Sequence, residues 1–332
     1  PEIGGSGNAL RATFAARYHE GERESMRKSF VGLLAVALVV AFAGGALAHI
    51  DVEGSPFLLF ELTDAEIAAI DINDVTLADW DAAFGVPSLI ATDFFADPAV
   101  GDGAQYDPND LDFRIYLGWT RASRGNHVYV AIERVDNVYI NQYEGGNPGS
   151  LWTQDSIEFM IDGDHTGGQY GGWTKDEHYT TEEELKLINN GQAQQFLGIP
   201  ESPDGILVGY LGAGTGWVAQ APFMEGGGGA TGTNPTVSVV EWYLTPYDNL
   251  IWNDPDASVQ SQLTPDKIVG FQISVPDFDT EPRAYHAFHT LSGQPKTFAY
   301  AERFVDGILV GADIGSAVEE TTWGEIKSSF AD

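Results

Sequence analysis

The sequence predicts an all-β protein: an antiparallel β-sandwich of about ten strands with long loops and at most one or two short helices. Three observations lead there. Short runs alternate apolar and polar residues with a period of two, as in Ile157, Phe159 and Ile161 against Ser156, Glu158 and Met160. Turns rich in glycine, asparagine and aspartate separate these runs, drawing on the 39 glycines of the 332-residue chain. Helical patterning is scarce, and Thr180 to Asn190 alone combines helix formers with a capping threonine.

Taken in order, Val52 to Leu62 is an apolar entry segment expected to pair as an edge strand. Ala68 to Trp80 turns through Asp71 to Asp74, ends on a tryptophan and is expected to tuck under the sandwich. Pro87 to Phe95 reads as a strand and Asp97 to Asp110 as a loop. Asp112 to Thr120 and His127 to Arg134 flank Ser123-Arg124-Gly125-Asn126, which predicts a hairpin. Val138 to Tyr143 is expected to extend the sheet, and Leu151 to Asp164 contains the central strand. Gln194 to Ile199, Ile206 to Leu211, Val237 to Leu244, Lys267 to Val275, Tyr285 to Thr290 and Thr297 to Ala301 have strand character. Gly226 to Gly229 is expected to be a flexible loop or hairpin tip, and the tail with Trp323 and Ile326 a last strand or short helix. No internal repeat or linker divides residues 49–332, which are expected to form a single domain.

The N-terminal region has its own logic. Met26-Arg27-Lys28, the apolar run Val31 to Ala43 and the Ala46-Leu47-Ala48 site have the three-part form of a secretory signal over residues 26–48. The run is short for a membrane span. Residues 1–25 lack apolar patterning and are expected to be an upstream extension outside the fold. The expected location is therefore secreted, cell-surface or periplasmic, free of the membrane once the signal is cleaved.

Charge narrows the partners. The chain carries 16 Lys/Arg against 49 Asp/Glu, a net charge of −33. Residues 1–48 hold five basic and four acidic side chains, so the remainder has 11 against 45, a net charge of −34. This field repels phosphate backbones and anionic membranes, and suits neutral ligands and divalent cations. Hydrophobic residues at 43% argue against disorder. The absence of cysteine excludes disulfides, thiolate metal sites and cysteine nucleophiles.

Several motifs resemble carbohydrate-binding module family 9 and its sugar-binding relatives. Trp152-Thr153-Gln154-Asp155-Ser156-Ile157-Glu158-Phe159-Met160-Ile161-Asp162 is similar to that family's line W-x-Q-D-S-V-E-x-x-I-D. Ile70-Asp71 with Asp79-Trp80, Asn126 to Ile132 with Val135-Asp136, and Ile268 to Ile273 with Asp277 resemble its other signatures, in order, over most of residues 65–330. The resemblance implies a β-sandwich that binds sugar ends through a tryptophan clamp, polar side chains and structural calcium. It implies that Trp152 is one ring of the clamp and Glu158 an acceptor for sugar hydroxyls. Where the family carries an Arg and an Asn in the following strand, Gln195 to Ile199 offers Leu197 and Ile199. No Trp occurs between Trp252 and Trp323, so Phe298, Tyr300, Trp173 or Trp217 is left as the second ring.

The residues themselves leave alternatives open. Trp152 either contacts ligand or plugs the end of the core, and Glu158 is a site acceptor or a buried ion-pair partner. Asp162 and Asp164 offer hard oxygens for calcium in a tight loop, or serve only solvation. Asp102, Asp107 and Asp110 make a second acidic group of the same kind. No second carboxylate pairs with Glu158, and neither G-x-S-x-G nor H-E-x-x-H occurs, so a non-catalytic, monomeric carbohydrate-binding protein is the expectation. A b-type haem sandwich is the alternative, with Met160, Met224 or His289 as axial ligand, and a surface adhesion domain without a sugar site is another.

Overall fold

A computed structural model describes residues 56–312, apart from 98–99, 102, 173–180, 182–183, 186–187, 204–206 and 210–215. The strands are β1 (Phe57–Glu61), β2 (Leu89–Ile90), β3 (Phe95–Ala96), β4 (Leu111–Trp119), β5 (Val128–Asp136), β6 (Ile157–Asp162), β7 (Gln194–Gly198) and β8 (Leu207–Gly209). They continue with β9 (Met224–Thr231), β10 (Thr236–Leu244), β11 (Tyr247–Asn249), β12 (Val259–Gln260), β13 (Ile268–Phe278), β14 (Tyr285–Thr290) and β15 (Val305–Val310). Helices α1 (Asp64–Ala69) and α2 (Ala78–Phe84) follow β1.

The hydrogen-bonded order β8-β7-β6-β13-β15-β1-β4-β5-β10-β9 folds back on itself as a sandwich. One layer holds β8, β7, β6 and β13 with β14, the other β4, β5, β10 and β9. Period-two alternation supplies the core between them. Ile157, Phe159 and Ile161 of β6 and Phe271, Ile273 and Val275 of β13 share a buried cluster with Ile115 and Leu117 of β4, Val128, Val130 and Ile132 of β5, and Trp242 of β10. Phe159 meets Trp242 edge-on at 6.4 Å, and the His289 ring lies 6.3 Å from Phe113 across the same space. Each such side chain contributes about 1.5–3 kcal/mol on burial, so the core supplies the stability that disulfides do not.

Most pairings are antiparallel, but Phe57–Glu61, in the segment expected to pair as an edge strand, lies inside the sheet. β1 runs parallel to β15 on one side and to β4 on the other, joining the two layers. Trp119 fixes that seam, its indole N–H donating to Leu59 O at 3.0 Å and to Val310 O at 3.2 Å.

Other segments also depart from expectation. Gly226 to Gly229 is no tip: the run lies within β9, paired with β10 from Thr231 to Met224. A Cβ on Gly227 would sit 3.1 Å from Asn73 Cα and one on Gly229 2.5 Å from Val75 Cγ1, so glycine is what lets the Ile72–Val75 segment lie on this strand, while one on Gly228 would sit 2.1 Å from Val239 O of the paired strand. Val138 to Tyr143 forms no strand, because side chains take its backbone donors. Gln142 N donates to Gln154 Oε1 at 2.7 Å and Ile140 N to Asp155 Oδ2. Thr297 to Ala301 is a turn with one bridge, Gln169 to Tyr300, and the neighbouring strand is β15, whose burial alternates residue by residue. Pro87 to Phe95 breaks into β2 and the start of β3 around a 3₁₀ turn at Ala91–Asp93.

The covering segment contains two helices, the second of which carries Trp80. α1 has a capping box in which Thr63 Oγ1 accepts from Glu66 N at 3.3 Å and Glu66 accepts from Thr63 N at 2.6 Å. Trp80, Tyr116, Tyr129 and Val239 are buried beneath this cover. Among the described residues no helix is long and apolar enough to cross a membrane. The expected signal region, Trp173, Asp102, the tail and parts of the expected 180–190 helix and 206–211 strand lie outside the described residues.

Candidate functional site

On the face of the β7-β6-β13-β14 layer turned away from the core, the residues alternating with Ile157, Phe159 and Ile161 meet their neighbours in register. Leu197, Glu158, Ser274 and Thr290 form one row across four strands. Gln195, Met160 and Gln272 form the next, and Gln272 Oε1 accepts from Ser292 N at 3.0 Å. The row around Glu158 is buried and polar, an expensive combination unless every group finds a partner.

Partners within the protein are few. Glu158 Oε2 accepts from Gln195 Nε2 at 3.2 Å. Ser156 Oγ, Gln195 Oε1, Gln272 Nε2, Ser274 Oγ and Thr290 Oγ1 are buried and have no hydrogen-bond partner in the protein. Burial pushes the Glu158 carboxyl up to about 8, against the opposing hydrogen bond from Gln195. A carboxyl held in this way is neutral at pH 7 and both donates and accepts. Burial, then Glu158, raises the Tyr170 hydroxyl well above the ordinary phenol range.

The head of this face is built by the 3₁₀ helix Pro148–Thr153 that precedes β6. It turns Leu151 inward against Tyr143, Leu197 and Ile199, and leaves Trp152 partly buried on that cluster. The hairpin between β13 and β14 closes over it. The Arg283 guanidinium lies 5.4 Å from the Trp152 ring centroid, Arg283 N donates to Thr153 O at 3.2 Å, and the Tyr285 hydroxyl donates to Trp152 O at 3.1 Å. Leu197 and Ile199 therefore serve as the apolar bed of Trp152, while β7 supplies its polar group through Gln195.

Trp217 lies elsewhere. Its indole N–H donates to Trp252 O at 2.9 Å, its ring meets Phe223 and Tyr247 edge-on, and it packs on the main core. Phe298 is exposed and Tyr300 carries the Arg303 guanidinium 4.6 Å from its centroid, both in the turn that leads into Ala301. Ala301 packs with Met160, Tyr170, Ala193 and Phe304 at the other end of the same face. Trp152 thus stands at one end of the polar rows and the Phe298–Tyr300 turn beyond the other. Met160 and His289 face opposite sides of their layer, and Met224 begins β9 in the main core.

Asp162 and Asp164 shape the loop after β6. Asp162 Oδ2 accepts from Gly167 N at 2.7 Å, and Asp164 Oδ1 accepts from Thr166 Oγ1 at 2.7 Å. Burial raises the Asp164 carboxyl, with Thr166 opposing and Asp162 adding to the rise. Lys267, just before β13, donates to Ser261 Oγ at 3.0 Å, and burial lowers its ammonium from the ordinary range, with Asp248, Asp164 and Asp162 opposing. Asp162 thus closes the loop through Oδ2, while its Oδ1 is buried, and the Lys267 ammonium lies near both carboxylates.

A buried ion network closes the core near the head. Arg134, on the core face of β5, is 1% exposed, and its Nη2 lies 2.5 Å from Asp136 Oδ2, 3.0 Å from Asp155 Oδ1 and 3.2 Å from Asp277 Oδ1. Burial outweighs Arg134 in setting the Asp155 carboxyl at about 8 and that of Asp277 at about 7. Asp155 Oδ1 also accepts from Phe278 N at 2.9 Å, locking β6 to β13. Sequence reading missed Arg134, Ser274, Thr290, Gln195 and Arg283. Polar residues at core-parity positions, such as Arg134 after Ile132 and Asp277 after Val275, were the available signal.

No protein-family model and no curated protein matches this chain. Among solved structures, it is similar to a carbohydrate-binding module family 9 from Caldicellulosiruptor kristjanssonii in complex with cellotriose, at 12% identity and a TM-score of 0.44. That alignment covers 79% of this chain and 97% of the module. The same kind of module in complex with glucose aligns at 12% identity and a TM-score of 0.42, over 76% and 96% of the respective chains.

Proposed function

We propose that this chain is a non-catalytic carbohydrate-binding domain, acting outside the cytoplasm on a neutral plant- or algal-type polysaccharide or oligosaccharide. The observation that carries the reading is the buried polar row of Glu158, Ser274 and Thr290 with the adjoining Gln195 and Gln272, whose atoms outnumber their protein partners. Sugar hydroxyls both donate and accept and match such a row. Trp152 offers an apolar ring face at its head, where Trp152 and Tyr285 are partly exposed and Arg283 is exposed; Ser274, Thr290 and Gln272 are closed to solvent, so a ligand meets Trp152 first and reaches the row only when that end opens. The net charge of −33 favours an uncharged glycan over a uronate-rich one.

Titration calorimetry of the full chain against neutral glycans, with glucose and cellotriose first in the panel, tests the reading. Binding that falls at least tenfold in both Trp152→Ala and Ser274→Val is the expected result. Binding unchanged in both variants, or none to any neutral glycan by a folded protein, overturns it.

A further inference from the structure

A second cluster lies at the same end of the sandwich and is independent of the carbohydrate reading. Asp110, Asp277, Asp279 and His286 each offer one ligand atom, all within 4.8 Å of one another. They come from three places: the turn before β4, the end of β13 and the start of β14. His286 Nε2 lies 3.2 Å from Asp110 Oδ2, and its Nδ1 lies 3.4 Å from Asp279 Oδ2. The side chains of His286, Asp110 and Asp279 are 33%, 22% and 25% exposed, so an ion can reach them from solvent.

Two further observations make this more than a patch of acids. Asp277 is 1% exposed; Arg134 engages its Oδ1, while its Oδ2 is buried and accepts no hydrogen bond. An unsatisfied oxygen on a buried carboxylate is costly and calls for a cation or a proton. Asp277 also belongs to the neighbouring group with Asp136 and Asp155. Five carboxyl groups therefore converge on one guanidinium and one imidazole. Second, the pairing of β13 with β14 shifts register here, from Asp277 opposite Ala287 to Phe278 opposite Tyr285. His286 is the extra residue of that bulge, a device that re-aims a side chain.

We propose that Asp110, Asp277 and His286 bind a divalent first-row transition-metal ion such as Zn²⁺ or Mn²⁺, with Asp279 orienting the imidazole. His286 binds through Nε2, on the Asp110 side, and its Nδ1–H donates to Asp279, the carboxylate–histidine–metal arrangement that fixes tautomer and ring orientation. An imidazole among the ligands selects against Ca²⁺ and Mg²⁺, which take oxygen shells. The ion would tie the start of β4 to the β13–β14 hairpin, the element that carries Arg283 and Tyr285 onto Trp152.

The test uses the full chain freed of metal with a chelator, then titrated with Zn²⁺, Mn²⁺ and Ca²⁺ while stoichiometry and thermal midpoint are read. Cobalt(II) absorption reports a nitrogen ligand. The expected result is one Zn²⁺ or Mn²⁺ per chain, a rise in midpoint of several degrees, and at least tenfold weaker binding in His286→Gln with Ca²⁺ giving a smaller rise. His286→Gln changes a partly exposed side chain, so it remains informative if Asp277→Asn fails to fold. Equal binding by wild type and His286→Gln, or no stoichiometric ion, overturns the proposal. Loss of metal binding with sugar binding intact, or the reverse, separates this site from the carbohydrate site.

Discussion

Replacing Glu158 by Gln tests whether the carboxyl at the centre of the polar row is held neutral. Gln is isosteric and keeps an oxygen to accept from Gln195 Nε2, so packing is unchanged and only the ionisation is removed. In the folded protein the carboxyl titrates at about 8 against an ordinary 4.5, because burial disfavours the charged form. The sign follows from proton counting. Between those two values the folded state holds a proton that the unfolded state has released, so stability falls as pH rises across the interval, and is undiminished below it. The interval, at roughly 1.4 kcal/mol per pH unit, sets a ceiling of about 5 kcal/mol, and structural relaxation brings the expected effect to about 2–3 kcal/mol. Urea unfolding at pH 5, 6, 7, 8 and 9 measures it for both proteins. The Gln variant should gain on wild type steadily from pH 5 to 8 and then hold its lead. Parallel pH curves within about 0.5 kcal/mol would show that Glu158 is solvated or charge-paired, and would refute the reasoning.

Further outcomes are expected elsewhere. Arg134→Met leaves Asp136, Asp155 and Asp277 without their guanidinium and should cost about 3–5 kcal/mol in urea unfolding at pH 8, and less at pH 5, where Asp155 and Asp277 are protonated. Gly228→Ala puts a Cβ 2.1 Å from Val239 O, in the backbone of the paired strand, and should lower stability by about 1–3 kcal/mol while exposing β9 and β10 amides to hydrogen exchange. Trp80→Phe removes the indole N–H that donates to Glu241 Oε2 at 2.5 Å and should cost about 1–3 kcal/mol, with a lowered thermal midpoint as the readout.

Local pattern determined much of this protein. The alternation in Val128 to Arg134 and Ile157 to Asp162 is intrinsic to a half-buried strand, and the turn residues before Asn126 fix a hairpin; both are present as β4–β5 and β6. Trp152 and Glu158 stand out as candidates in the sequence because they lie beside and within one such strand. What only the tertiary structure decided depends on non-local partners. The glycines of β9 read as a turn until the Ile72–Val75 segment is laid across them, and Val138 to Tyr143 reads as a strand until Gln154 and Asp155 take its donors. Ser274 and Thr290 are unremarkable in sequence, and become a polar row with Glu158 only because strands more than a hundred residues apart pair in one register. The same holds for Asp110 and His286: side chains carry chemistry in the sequence, but the charge they share is created by the distances at which the sheet sets them.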